Sequence, residues 1–180
     1  MKPMIFLETT LKDAYVIELE RLNDERGFFA RSWSPKEFAA HNLNSTLVEC
    51  NISFSLKKGT LRGMHFQRAP YEQAKLVRCT RGSIYDVIID LRESSPTFKH
   101  WLGLELTAEN RRMLFVPEGF AHGFQTLEDN TELVYQMSTY YAPESSGGVR
   151  WNDPAFNIQW PPVDERVIAT RDQQYPDFTS

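Results

Sequence analysis

The chain has 180 residues, of which 41% are hydrophobic and 13% aromatic, a composition that supports a buried core and argues against a disordered chain. Its 24 acidic side chains outnumber the 20 basic ones, which gives a formal net charge of −4. This balance argues against a general nucleic-acid-binding protein but allows an anionic small ligand, because a few converging arginines bind a phosphate.

Short strand-like runs, separated by turn-forming segments such as KKG, TRG and PEG, follow one another along the chain. One helix is predicted over 34–42, with Ser34 as the N-cap, Pro35 at the first helical position and Phe38 turned inward. The predicted strands are 15–19, 46–56, 61–67, 74–79, 83–92, 100–106, 112–116 and 131–138. Many short strands with scarcely any helix predict an all-β antiparallel sandwich or barrel, and we favour a jelly-roll barrel with a few short helices.

Side chains alternate between the two faces of a strand, and this alternation places the imidazole of His65 and the phenol of Tyr135 on faces with apolar residues. Alternation in LRGMHFQ places His65 on one face with Leu61 and Gln67. Alternation in TELVYQMSTYY places Tyr135 between two apolar side chains of its own face. This arrangement is what a barrel lumen with a polar site would show.

The two cysteines, Cys50 and Cys79, are too few for a disulfide framework, and reduced core thiols are expected. The apolar run in MKPMIFLETT is too short for a signal peptide, and Glu8 follows it closely. No window approaches the roughly 18 apolar residues of a membrane span. We therefore expect a single cytoplasmic domain over residues 1–180, with neither a membrane nor a nucleic acid as its partner.

Two segments, GMHFQRAPYEQAKL and FVPEGFAHGF, resemble the metal motifs of cupin barrels. A metal-dependent cupin enzyme would draw its ligands from His65, Gln67, Glu72 and His122. Glutamine is a poor substitute for imidazole on a transition metal, and Lys75 would add a positive charge beside the cation. The metal site is therefore the less favoured alternative.

Without a metal, the same region offers a base, an electrophile and an acid. An imidazole, whose reference pKa is about 6.5, suits His65 to proton abstraction at neutral pH, and an aspartate usually fixes the tautomer of such a base. Lys75 would hold the enolate formed beside a ketone, and one well-placed donor of this kind contributes about 3–4 kcal/mol. Tyr135 would return a proton to the opposite face, which describes an epimerase. Each side chain also has an ordinary structural explanation, as a hydrogen-bonded core histidine, a core tyrosine or an edge lysine.

Five segments of the chain, in order and at matching spacing, carry a resemblance to one family: DERGFF, GTLRGMHFQ, YEQAKLVRCTRGSIYDVIIDLRESSPTF, VPEGFAHGF and GVRWNDPAFNIQWP. They resemble the dTDP-4-dehydrorhamnose 3,5-epimerases, the deoxysugar epimerases of the cupin superfamily. The resemblance implies that His65 is the base and Asp172 its orienting carboxylate. It also implies that Tyr135 is the acid, that Lys75 lies beside the 4-keto oxygen, and that the reaction needs no metal and no other cofactor.

Substrate-binding residues also follow from the resemblance. Arg26 and Arg62 would contact the pyrophosphate and the nucleotide, and Tyr141 would stack on thymine. If SIYDVIID alternates regularly, Asp86 faces inward and would orient His122. The other residues expected to line the pocket are Asn51, His122 and Arg171.

Three positions do not fit the family pattern directly. Strict alternation places Arg62 on the face opposite His65, so we predict a bend or bulge at Gly63. Arg31 stands two residues after RGFF, where the family usually has a glutamate, and the change reverses a charge. Ser146 stands at the position of a second pocket glutamate.

The leading functional hypothesis is a cofactor-free epimerase of a nucleotide-activated 4-keto-6-deoxyhexose, of the dTDP-4-dehydro-6-deoxy-D-glucose 3,5-epimerase type, working as a homodimer. Within the same chemistry, the alternatives are an epimerase of C3 or C5 alone and an enzyme that takes another nucleotide sugar, such as a CDP-sugar. A metal-dependent cupin enzyme and a barrel that binds a sugar nucleotide without catalysis represent two further classes.

Overall fold

The computed structural model describes residues 2–179, which contain fourteen strands, two short α-helices and one 3-10 turn at Pro143–Ser145. The strands are β1 (Ile5–Glu8), β2 (Tyr15–Glu18), β3 (Leu22–Asp24), β4 (Gly27–Phe29), β5 (Glu49–Ser55), β6 (Thr60–Gln67), β7 (Lys75–Arg81), β8 (Ser83–Asp90), β9 (Trp101–Thr107), β10 (Met113–Val116), β11 (Phe120–Thr126), β12 (Thr131–Met137), β13 (Ser146–Gly148) and β14 (Val167–Ile168). The helices are α1 (Pro35–Ala40) and α2 (Thr170–Gln173). Within residues 2–179, no helix is long and apolar enough to cross a membrane.

Two sheets face each other across the core. The first sheet has the strand order β1-β2-β10-β7-β12-β5, and the second has the order β13-β6-β11-β8-β9, with β14 pairing in parallel to β6. Strands β3 and β4 form a separate hairpin. Side chains of both sheets meet in one buried cluster that includes Val77, Leu114 and Leu133 of the first sheet and Ile84 and Ile88 of the second. The predicted antiparallel jelly-roll barrel is therefore confirmed.

The C-terminal part of the chain covers the outer face of the second sheet. Val87 and Ile89 of β8 point outward into a second cluster with Phe156, and Phe178 packs against the edge of this cluster. The backbone N–H of Phe178 donates to Oδ2 of Asp153 at 2.6 Å. Because both faces of β8 are covered, seven of its eight residues are buried and its sequence shows no regular alternation of apolar and polar residues.

All eight predicted strands are present, with ends that differ from the prediction by at most three residues. Strand β11 was not predicted, since its segment was taken as the turn of a motif. All seven of its residues are buried, so the sequence shows no alternation that would indicate a strand. The predicted helix is the shorter α1, and Pro35 and the buried Phe38 occupy the predicted places.

One local prediction holds only in part and one was wrong. Ser34 is the N-cap residue, as predicted, and has an extended backbone, but its side chain makes no capping hydrogen bond. Both cysteines are free, but only Cys79 is a core thiol, whereas Cys50 is exposed. The reason is that Cys50 lies on β5, an edge strand of the first sheet.

Candidate active site

A bulge in β6 sets the direction of the site residues on this strand. The three steps from Arg62 to His65 match only two steps of β11, so both side chains lie on the same face of the sheet. Gly63 permits this geometry because its φ is +133°, and a Cβ there would lie 2.5 Å from Cα of Gly123. The predicted irregularity at Gly63 is confirmed. The bulge also moves Leu61 to the face opposite His65, so the prediction that these two share a face was wrong.

A cavity of about 380 Å³ opens at this face, between the two sheets. Its volume falls within the range of about 300–1,000 Å³ that is usual for small-molecule sites. The predicted residues that line it are His65, Lys75, Tyr135, Asn51, Tyr141 and Arg171. The remaining lining residues are Glu49, Phe66, Gln67, Gln73, Met137 and Ser146.

His65 is bound to the one carboxylate predicted to orient it. Its Nε2 lies 2.8 Å from Oδ1 of Asp172, and Oδ2 of that carboxylate accepts from the backbone N–H of Gly63 at 3.1 Å. Burial alone would raise the pKa of Asp172, but the hydrogen bonds and charge of His65, together with the Gly63 N–H, lower it. The ionised carboxylate therefore holds the imidazole proton on Nε2. This leaves Nδ1, which has no hydrogen-bond partner within residues 2–179, with the lone pair of a base.

Lys75 and a second Asp–His pair lie close to the first. Burial lowers the pKa of Lys75 to about 8, and the carboxylate of Asp86 acts in the opposite direction. Nε2 of His122 lies 2.7 Å from Oδ1 of Asp86, so the expected contact between these two residues is present. In the described part of the chain, the buried Oδ2 of Asp86 has no hydrogen-bond partner. An ammonium group beside this carboxylate is suited to holding an oxygen that becomes negative during a reaction.

Arg171 joins several polar groups at the cavity wall. Its Nη2 donates to Oγ of Ser146 at 2.7 Å, and its Nε donates to the hydroxyl of Tyr175 at 2.9 Å. The nearby hydroxyl groups of Tyr141 and Tyr175 raise the pKa of Arg171. Tyr141 is 54% exposed, so its ring is accessible to an aromatic ligand.

Three predicted binding residues do not line the cavity of this chain. Arg26 is exposed in the β3–β4 turn, where its Nη2 lies 2.5 Å from Oδ2 of Asp24. The guanidinium of Arg62 donates to the carbonyl oxygen of Phe54 at 3.3 Å, farther along β5. His122 is buried beside His65, its cross-strand partner. The substrate contacts expected of these residues stay predictions.

The two departures from the family pattern have different consequences. Arg31 forms an ion pair with Glu37 of α1 and is not among the lining residues, so its charge is taken up outside the cavity. Ser146 lines the cavity and accepts the hydrogen bond from Arg171. Of the two positions, only Ser146 lines the cavity of its own chain.

The residues proposed for the metal alternative are not gathered at one point. Gln67 donates through Nε2 to the carbonyl oxygen of Tyr71 at 2.6 Å and accepts from the N–H of Ala142 at 2.7 Å, so its amide anchors loops. Glu72 is exposed and does not line the cavity. No group of three or more His, Cys, Asp or Glu side chains in residues 2–179 is placed to hold a metal ion.

Sequence reasoning missed Glu49 and Tyr175. Glu49 lines the cavity, and its carboxylate makes no hydrogen bond or ion pair with any residue between 2 and 179. It lies two residues before Asn51 on β5, so the period of two was a usable signal. Tyr175 follows α2 in a segment without periodicity, and no pattern in the sequence indicates its position.

A histidine–aspartate pair, a lysine and a tyrosine around one cavity of a β-barrel form a site suited to the proton transfers of an isomerase. The chain belongs to the dTDP-4-dehydrorhamnose 3,5-epimerase family, whose model matches residues 8–180. The dTDP-4-dehydrorhamnose 3,5-epimerase of Salmonella typhimurium is 44% identical to it, over 96% of this chain and 94% of that protein.

Solved structures of similar proteins share the fold. The dTDP-4-dehydrorhamnose 3,5-epimerase of Bacillus anthracis, with TDP and PPi bound, matches with a TM-score of 0.93 and 42% identity, over 98% of this chain and 100% of the other. A 3'-monoepimerase of Streptomyces bikiniensis in complex with dTDP-quinovose matches with a TM-score of 0.87 and 30% identity, over 95% and 86%. Enzymes described as acting on two centres and on one centre therefore share this architecture.

Proposed function

We propose that the chain epimerises a nucleotide-activated 4-keto-6-deoxyhexose, dTDP-4-dehydro-6-deoxy-D-glucose, at C3 and C5. The observation that carries the proposal is the placement of His65 and Tyr135 on opposite sheets of the barrel, facing one cavity. A sugar ring held between the sheets would meet the imidazole on one side and the phenol on the other. Inversion of a carbon next to a ketone needs proton removal and proton return on opposite faces.

The reaction proceeds through an enolate. Nδ1 of His65 takes the proton on the carbon next to the ketone, and the electron pair of the broken C–H bond moves to the carbonyl oxygen. Lys75 stabilises the oxyanion, an interaction worth about 3–4 kcal/mol for a well-placed donor. Tyr135 then donates its proton to the opposite face of the carbon, while the electron pair returns from the oxygen. The configuration inverts and the carbonyl group is restored.

The nucleotide part of the substrate lies, in our proposal, at the Tyr141 and Arg171 end of the cavity. The guanidinium of Arg171, which Ser146 already orients, offers hydrogen-bond donors to a diphosphate. The exposed ring of Tyr141 supports the prediction that it stacks on the base. Within residues 2–179 the Glu49 carboxylate has no partner, and at the cavity wall it suits the hydroxyl groups of a sugar rather than a phosphate.

We also propose that the chain works as one domain in a homodimer. Ile52 on the edge strand β5 is 68% exposed, and Leu56 in the loop that follows is 70% exposed. Phe29 of the β3–β4 hairpin is 59% exposed. Exposed apolar residues on a sheet edge are typical of a surface that another chain covers. Since Arg26 does not line the cavity of its own chain, its expected substrate contact requires a second copy. The cytoplasmic location expected from the sequence stays a prediction.

The test of the catalytic assignment is His65→Ala, with His100→Ala as the matched control because His100 is an exposed histidine outside the cavity. Since a general base typically contributes about 10²–10⁴-fold, we expect turnover to fall by at least about 100-fold. Binding of dTDP, measured by calorimetry, should change little, and the control should match the wild type. Wild-type turnover by His65→Ala would mean that another group is the base.

A further inference from the structure

The ring of Tyr175 lies beside the proposed base, and the mechanism above does not use it. The centroids of the Tyr175 and His65 rings are 6.2 Å apart, and the rings are inclined at 70°, an edge-to-face arrangement. Tyr175 is half-buried and follows α2, the helix that carries Asp172. One short segment therefore brings both the orienting carboxylate and an aromatic ring to the same imidazole.

A glycine makes room for this ring. Gly148 of β13 is the cross-strand partner of His65, so the two residues present the same face of the sheet. A Cβ on Gly148 would lie 2.2 Å from a carbon of the Tyr175 ring. The tyrosine ring thus fills the space where a side chain at 148 would stand, directly beside the imidazole.

The hydroxyl of Tyr175 has a different partner. It accepts the hydrogen bond from Nε of Arg171 at 2.9 Å, while Nη2 of the same guanidinium is bound to Ser146. Burial raises the pKa of Tyr175, so the hydroxyl is a neutral acceptor near pH 7. Two fixed acceptors leave the guanidinium little freedom to rotate at the cavity wall.

The segment that carries Tyr175 is itself anchored. The ring of Phe178 lies 5.2 Å from that of Phe156 on the outer face of the second sheet. Together with the bond from the Phe178 N–H to Asp153, this contact ties down the chain just after Tyr175. The contacts of Phe178 therefore fix the position of the segment that holds the Tyr175 ring against His65.

We propose that Tyr175 is a positioning residue with two separable roles. Its ring holds the His65 imidazole in line with Asp172 and keeps water away from their hydrogen bond, and its hydroxyl orients Arg171 toward the substrate. The proposal rests on the proposed function, in which His65 is the base and Arg171 binds the nucleotide sugar.

The two roles separate in the kinetics of two variants with the substrate dTDP-4-dehydro-6-deoxy-D-glucose. Tyr175→Phe keeps the ring, so kcat should stay within about twofold, while KM rises by about three- to tenfold because a charged hydrogen bond is lost. Tyr175→Ala should raise KM similarly and also lower kcat by about 10–100-fold, since a displaced catalytic group costs up to about 100-fold. Tyr140→Phe, which changes a tyrosine that is 65% exposed and does not line the cavity, serves as the control.

Gly148→Ala tests the ring independently, because the added methyl group forces the Tyr175 ring away without changing the tyrosine. Its kcat should resemble that of Tyr175→Ala, and the double variant should be no slower than either single variant. Thermal melts confirm that the variants fold.

Any one of three results would overturn the proposal. They are an unchanged kcat in Tyr175→Ala, a kcat loss in Tyr175→Phe as large as that in Tyr175→Ala, and a double variant in which the kcat losses of the two single variants add. Failure of the proposed function is recognised separately. In that case His65→Ala itself retains turnover, whatever the Tyr175 variants show.

Discussion

Replacing Asp172 by asparagine changes two hydrogen bonds at once, because both carboxylate oxygens are acceptors. Oδ1 accepts from Nε2 of His65 and Oδ2 accepts from the N–H of Gly63. An asparagine amide has one acceptor oxygen and one donor nitrogen. In one orientation the amide nitrogen faces the Gly63 N–H, donor against donor. In the other it donates to His65 Nε2 and moves the imidazole proton to Nδ1, which can then no longer act as the base.

The size of the effect follows from these two orientations. The first leaves the buried Gly63 N–H without an acceptor, which costs about 1–3 kcal/mol of stability. The second leaves the fold intact but selects the wrong tautomer, which in a serine protease triad lowers kcat by about 10⁴-fold. We therefore expect Asp172→Asn to lower kcat by about 10²–10⁴-fold, equivalent to about 3–5.5 kcal/mol in the activation barrier.

The assay is turnover of the dTDP-sugar by NMR, together with urea unfolding of the same preparations. Asp164→Asn is the matched control, since Asp164 is an exposed carboxylate a few residues upstream and does not line the cavity. The control should match the wild type in both measurements. A kcat within about threefold of the wild type for Asp172→Asn, in a folded protein, would refute the tautomer argument, because mechanisms of this kind predict changes of two orders of magnitude or more.

Three further predictions concern the acid, the electrophile and the C-terminal anchor. Lys75 must be charged to hold the oxyanion, and burial lowers its pKa to about 8. Activity should therefore fall as the pH rises through that value. Asp86→Asn removes a carboxylate that raises the pKa of Lys75, so it should move the alkaline limb of the pH–rate profile to lower pH. Tyr135→Phe should retain deuterium exchange at the substrate carbon in D2O but lower net inversion by about 100-fold, because proton removal survives and return to the opposite face does not. Phe178→Ala should lower the free energy of unfolding by about 1–3 kcal/mol in urea titrations, less than for a fully buried phenylalanine. A wild-type pH profile in Asp86→Asn would contradict the first expectation. An equal loss of exchange and inversion in Tyr135→Phe would contradict the second, and an unchanged unfolding midpoint in Phe178→Ala the third.

Strand periodicity and motif order predicted much of this protein. The eight predicted strands and the barrel follow from local patterns, because apolar alternation and turn residues are properties of neighbouring positions. The irregularity at Gly63 was predicted because the family role of Arg62 conflicts with strict alternation. Six of the ten predicted site residues line the cavity, and Asp172 is bound to one of them, His65. Residue patterns alone indicated His65, Lys75 and Tyr135, whereas Asn51, Tyr141, Arg171 and Asp172 were predicted from the family resemblance.

What was missed depends on packing between distant parts of the chain. Strand β11 is buried on both faces by segments far away in sequence, so it shows no alternation. Tyr175 reaches His65 only because Gly148 lacks a side chain and Phe178 is anchored on the second sheet. Arg26 lies outside the cavity of its own chain, and a single sequence contains no pattern for a contact between copies.

The most direct test of the central claim is incubation of the wild-type protein with dTDP-4-dehydro-6-deoxy-D-glucose in D2O, with deuterium located by NMR. Our account predicts deuterium at both C3 and C5, and its loss from both carbons in His65→Ala. Deuterium at one carbon would establish a single-centre epimerase. Exchange that is absent in the wild type, or that persists in His65→Ala, would contradict the assignment of His65 as the base of this reaction.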